Sequence, residues 1–260
     1  MSYKRRETGD FKVFGGKMFI EKITMYELKR RIKKSKTIII PFGSVEEHGP
    51  HLPLSTDTIQ IMEILKIVDR EVDVFIAPPI HYGVCRSTEQ HTGTIGISPN
   101  TLRLLAQDIL ESFRNQGFKL FFLISGHAGK LHLYSLIEAS ENFVKKYDDI
   151  RVFVYSELDL IKDNLEGIIE TPYDSHAGEI ETSRMLYIDK SLVKRNFKNI
   201  KSDKPNFFPG EITANKTKYW KSGIWGDPSK STLQKGEKTL YLSAKKIIEI
   251  IKKIQKESTY

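Results

Sequence analysis

A chain of 260 residues with 39% hydrophobic residues spread along its length can bury a full core, and no apolar run reaches the length that spans a bilayer. Its 41 basic against 33 acidic residues give a formal charge of +8, which makes nucleic acid the first partner to weigh. The excess sits in Lys29–Lys36, Lys194–Lys204 and Lys245–Lys256 without interleaved base-stacking aromatics, so a solvated basic face is preferred and a nucleic-acid-binding module is kept only as the alternative of another class.

Residues 1–17 are polar and carry Gly9, Gly15 and Gly16, as an N-terminal extension would. Lys4, Arg5 and Arg6 are not followed by an apolar stretch of the signal-peptide kind, and the single cysteine, Cys85, rules out an internal disulfide. The expected compartment is the cytoplasm. Residues 18–260 read as one domain.

Thr24 and Glu27 have capping-box spacing and predict a helix to about Lys34. Thr37–Pro41 is a β-branched run suited to a strand buried on both faces. A loop leads to Asp57, and Ile59–Val68 predicts a helix. Val72–Ala77 predicts a strand stopped by Pro78 and Pro79. After a polar loop over His81–His91, Thr92–Ile97 predicts another short strand. Ser98 and Pro99 cap and open a helix that Gly117 ends.

Lys119–Ile124 predicts a buried strand running into Ser125-Gly126-His127, followed by a helix over Leu131–Lys146 and a strand at Arg151–Tyr155. A further helix is expected to start just after His176 and run through Met185. Lys201–Ser231 reads as loop-rich, and the last helix covers about Lys238–Lys256. This alternation predicts an α/β fold, a mainly parallel sheet with helices on both faces.

Between the first strand and the second helix stands Gly43-Ser44-Val45-Glu46-Glu47-His48-Gly49-Pro50-His51-Leu52-Pro53, with Asp57 shortly after. It crowds metal-capable groups into one loop stiffened by Pro50 and Pro53. In extended chain Glu46 and His48 project to the same side, and Asp57 can fold back beside them. His127 leaves the end of another strand among small residues. Parallel strands end on one side of a sheet, where open α/β proteins place their sites, so the two regions converge there. Carboxylates combined with imidazoles are typical of hydrolytic zinc, manganese or iron centres. The simpler alternative is an Asp57 that caps its helix, histidines that hold their loops and Glu46 and Glu47 facing solvent. Cys85, in a polar loop, is read as passive rather than nucleophilic. His91 is placed near the pocket, and His132 is read as structural or solvent-exposed.

The first motif resembles the signature of the creatininase (creatinine amidohydrolase) family. Ser125-Gly126-His127-Ala128-Gly129 resembles that family's Asn-Gly-His-Gly-Gly-Asn, and Asp174-x-His176-Ala177-Gly178-x-x-Glu181-Thr182-Ser183 resembles its His-Ala-Gly-x-x-Glu-Thr-Ser. Tyr82-Gly83, Gly93-Thr94-Ile95 and Gly226-Asp227-Pro228-Ser229-Lys230 match weaker landmarks in the same order. The resemblance implies two divalent metal ions (Zn, Mn or Fe) held by Glu46, His48, Asp57 and His127, with Asp57 bridging. It places His176 and Glu181 near the substrate as acid–base groups, Glu181 also as a further metal ligand. It implies a homo-oligomer, hexameric by analogy.

Where creatininase proper has a glutamate two residues after the matching histidine, this chain has Gly129, followed by Lys130. The tryptophans expected before the third motif are missing; Trp220 and Trp225 come after it. The resemblance therefore points to formamide-hydrolase or precursor-peptidase members more than to creatininase itself. The expected function is metal-dependent cleavage of a C–N bond in a small amide or formamide, with a phosphorylated substrate favoured by the basic chain. Creatinine and a cofactor-precursor peptide are the alternatives within the family.

Overall fold

A computed structural model describes residues 18–200, 204–206 and 211–257; the expected N-terminal extension and part of the loop-rich stretch lie outside them. Strands β1 (Thr37–Phe42), β2 (Phe75–Ile76), β3 (Leu120–Ser125) and β4 (Arg151–Ser156) form one parallel sheet in the order β2-β1-β3-β4. Every residue of β1 and β3 is buried, which is why both read as unbroken apolar runs instead of alternating ones.

The helices are α1 (Met25–Arg31), α2 (Thr56–Glu71), α3 (Pro99–Asn115), α4 (Lys130–Val144), α5 (Glu179–Asp189), α6 (Lys216–Tyr219) and α7 (Leu233–Glu257). One face of the sheet packs Ile38, Ile40, Phe121 and Leu123 against Leu102 and Leu110 of α3 and Leu136 and Phe143 of α4. The opposite face packs Ile39, Phe122 and Ile124 against Ile61, Ile64 and Val68 of α2 and Leu240, Ile247 and Ile251 of α7. The isoleucines between the lysines of α7 thus cover the sheet, and the lysines face outward. Among the described residues no helix is long and apolar enough to cross a membrane.

Local signals set several boundaries. Thr24 and Glu27 complete both halves of the capping box of α1. Ser98 Oγ accepts from Thr101 N at 3.0 Å to start α3, and Gly117 after its end takes φ +102°. Two predicted strands differ from expectation. Val72 is the last cap of α2, so β2 keeps only the two residues that pair with β1. Residues 92–97 form turns and irregular chain: Ile95 N reaches Val45 O and Ile97 N reaches Gly83 O, both in loops, so among the described residues no strand lies alongside to make a ladder.

The strand order reverses between β1 and β3, since β1 connects outward to β2 while β3 and β4 lie on its other side. Phe42 and Ser125 pair at the ends of these two strands, and Gly126 N donates to Phe42 O at 2.8 Å. The loop after β1 and the turn after β3 therefore leave the sheet side by side at the crevice where doubly wound sheets bind ligands.

Candidate metal centre

Asp57 stands in the first turn of α2 with its carboxylate 2% exposed, and its two oxygens face different partners. Oδ2 lies 3.1 Å from His127 Nδ1, and the same nitrogen lies 2.9 Å from Glu46 Oε2. Oδ1 lies 3.1 Å from His48 Nε2, which is 3.7 Å from Glu181 Oε2. The aspartate joins two clusters. Glu46 joins the His127 side and His48 meets Oδ1 directly, and the loop that carries both is held by a bond from Glu46 N to Leu54 O at 2.9 Å and turns at Gly49, with φ +65°.

Each imidazole is held from behind. His48 Nδ1 donates to Glu46 O at 3.0 Å and His127 Nε2 to Val84 O at 3.2 Å. These bonds fix the tautomer and aim the other ring nitrogen at the carboxylates, the arrangement that orients metal-binding histidines. Ser44 Oγ donates to Asp57 Oδ2 at 2.6 Å, and Thr88 Oγ1 donates to Glu46 Oε1. Glu46 Oε2 accepts no hydrogen bond, because the His127 Nδ1 beside it is aligned on Asp57 instead.

The electrostatics follow from packing charges where water is scarce. Burial pushes the Glu46 carboxyl up, but the adjoining His127 outweighs it and holds the group at about 2. Burial likewise opposes charge on His48 and His127, yet Asp57 and Glu181 raise the first, and Glu46 and Asp57 the second, well above an ordinary histidine. Buried carboxylates here demand positive charge. A divalent ion supplies it at the positions the ring nitrogens face, so the donor set, with an orphaned carboxylate oxygen, fits a metal.

His176 precedes α5, and Glu181 lies in its first turn; both line the same cavity of about 540 Å³ together with Glu46, Asp57 and His127. Ala177 between them takes φ +50°, and its N–H donates to Glu181 Oε2 at 2.5 Å. His176 Nε2 donates to Glu47 O at 2.8 Å, and its ring centroid lies 4.4 Å from that of His48. Arg184, three residues beyond Glu181, is fully buried and pairs with Glu157 at 2.6 Å, tying α5 to the end of β4.

Several residues here carry no local sequence signal. Trp220 and Trp225 line the cavity even though they follow the third motif. Glu47 is buried, not solvent-facing. His91 lies outside the cavity lining and anchors Trp220 through a 2.7 Å bond to its carbonyl. His132 is fully buried; its Nδ1 accepts from Val84 N at 3.2 Å and its ring meets that of His127 edge-on at 5.0 Å. Burial and the nearby His127 hold it at about 3, so it stays neutral. His51 is buried and bonds Thr182 Oγ1 at 2.8 Å, locking the loop to α5. Cys85 Sγ lies in one group with Glu46 and His127 donor atoms, all within 4.8 Å of one another.

Gly129 matters for space. A Cβ there would sit 2.5 Å from His127 Nε2, which is pinned to Val84. Gly129→Ala is expected to tilt that ring and weaken divalent-ion binding by about 10- to 100-fold, the range for supporting contacts of metal ligands; titration with zinc against a competing chelator measures it.

A family model described as "Creatininase: Creatinine amidohydrolase" matches residues 21–251. The chain is 28% identical over 213 residues to a mycofactocin precursor peptide peptidase of Mycolicibacterium smegmatis, covering 77% of this chain and 78% of that protein. It is 24% identical over 193 residues to a creatinine amidohydrolase of Pseudomonas putida, covering 68% and 74%. Among solved structures, one described as "Creatininase Mn" superimposes with a TM-score of 0.81 at 21% identity over 91% of this chain and 98% of that one. A variant creatininase described as Zn-Zn type gives 0.80 at 21% identity over 90% and 97%.

Proposed function

The chain belongs to the creatininase family and is a hydrolase, and from that premise we propose that it cleaves the C–N bond of a small amide or formamide with two divalent metal ions. The observation that carries this reading is the division of Asp57 between two clusters on the floor of one cavity. Glu46, Asp57 and His127 would hold one ion, and His48, Asp57 and Glu181 the other. Zinc, manganese or iron bound there supplies Lewis acidity, which polarises a carbonyl and makes water nucleophilic at neutral pH.

The chain's own groups do the rest. Ser44 and Thr88 fix the carboxylate oxygens, and the carbonyls of Glu46 and Val84 fix the rings. Hydrolysis places hydroxyl on the carbonyl carbon and a proton on the departing nitrogen. His176, on the cavity wall with one ring nitrogen tied to Glu47 O, is the group to deliver that proton. Trp220 and Trp225 supply an apolar wall that limits water around the reacting atoms. Assay of the purified chain against formamides, cyclic amides and short peptides tests the reaction class; inactivity on all three with metal bound would count against it.

An anionic substrate is favoured by Lys130. It is exposed at the first turn of α4, lines the cavity and has no ion-pair or hydrogen-bond partner among the described residues, whereas Arg86, which also lines the cavity, pairs with Glu89 at 3.1 Å. A phosphorylated formamide is expected to exceed its dephosphorylated form about tenfold in kcat/KM at low salt, with the advantage shrinking at high salt and in Lys130→Met. Equal turnover of both forms would remove the phosphate from this reading.

A peptide-type amide is the second reading. A neighbouring open cavity of about 580 Å³ shares Trp225 with the first, leaving room for a longer substrate, and the mycobacterial relative is named for a precursor peptide. Assembly into a homo-oligomer is part of the same proposal, supported by exposed Leu104, Leu131 and Tyr134 on α3 and α4.

A further inference from the structure

Cys85 is 3% exposed, yet it belongs to none of the three apolar clusters that account for most buried hydrophobic side chains. Its surroundings are polar. The sulfur lies within 4.8 Å of donor atoms of Glu46 and His127, the two residues that meet at the Oδ2 side of Asp57. Glu46 in that group is 3% exposed, and its Oε2 accepts no hydrogen bond. Val84 and Arg86 line the cavity and Cys85 does not. A nucleophilic cysteine needs the opposite placement.

Resting on the two-metal reading, we propose that Cys85 is a sulfur ligand of the ion held by Glu46, Asp57 and His127. Bonds of about 2.3 Å to sulfur and about 2.1 Å to nitrogen put the two ligand atoms of a tetrahedral zinc about 3.6 Å apart, so donor atoms within 4.8 Å of one another close on one ion by drawing together. On ligation the S–H bond breaks, a metal–sulfur bond forms and the proton leaves to solvent; no electron is transferred. Because Cys85 does not line the cavity, its ligation would leave the cavity side open to substrate. A soft sulfur ligand also gives this position a preference for zinc, cobalt or iron over manganese, while the His48–Asp57–Glu181 position keeps harder nitrogen and oxygen donors.

Cobalt(II) tests this without reference to turnover. The chelator-stripped full chain, reloaded with cobalt, is expected to show a near-ultraviolet thiolate-to-cobalt charge-transfer band. Cys85→Ser and Cys85→Ala are each expected to lose that band while retaining the far-ultraviolet circular dichroism of the parent. In competition between zinc and manganese, the zinc preference of the whole chain is expected to fall about tenfold or more in both variants. A cobalt-loaded parent without the band, or a variant that keeps it, overturns the proposal and leaves the metal centre standing. Failure of the parent to take up cobalt overturns both.

Discussion

Asp57→Ala is expected to abolish stoichiometric metal binding and catalysis together, with kcat lower by roughly a thousandfold or more, the scale of losing a principal charge-stabilising group. The expectation comes from position. The Asp57 carboxylate touches both clusters, 3.1 Å from His127 on one oxygen and 3.1 Å from His48 on the other. Without it the two groups lose their shared anion, and neither keeps more than one carboxylate among the proposed ligands. The fold is expected to persist because Asp57 packs in a loop-to-helix junction beyond the ends of β1 and β3, not within the apolar layers. Asp57→Asn keeps the volume and removes the charge, so it should reproduce the loss of metal with less effect on thermal stability. Metal analysis and circular dichroism on both variants decide the matter. Full metal occupancy in either would contradict the bridging role.

Glu181→Gln carries the second large effect. Its carboxylate lies 3.7 Å from His48 Nε2 and is held by Ala177 N at 2.5 Å, so it already faces the His48 half of the centre. The variant is expected to weaken the ion on the His48 side by ~100-fold or more, at or beyond the upper end seen for merely supporting residues, and to lower the rate with it. Stoichiometry should drop from two ions toward one. A variant that binds two ions normally and only turns over slowly would make Glu181 an acid–base group, with the His48-side ion completed by another donor.

Much of this was legible locally. Unbroken β-branched and aromatic runs at Ile38–Ile40 and Phe121–Ile124 could only be strands covered on both faces, and the Thr24 and Ser98 caps mark helices through bonds made within four residues. Glu46, His48, Asp57 and His127 stood at strand ends, so the parallel topology was enough to bring them to one crevice. The same logic failed where the partner is remote. Thr92–Ile97 has the composition of a strand but no neighbouring strand to pair with. Trp220 and Trp225 reach the cavity through irregular chain, where no periodicity predicts direction. The buried state of Glu47 depends on Gly49 N and His176, the latter 129 residues away. Extended-chain geometry put Glu46 and His48 on one side; instead, Glu46 meets the Asp57 Oδ2 side of the centre through His127, whereas His48 meets Oδ1 directly.

The central claim is a two-ion centre built on Asp57, and elemental analysis of the purified chain after exhaustive dialysis tests it most directly. Close to two divalent ions per chain are expected, drawn from zinc, manganese and iron, released by a strong chelator and restored by adding metal back. A folded chain that retains no stoichiometric metal and takes up none on reconstitution would contradict it.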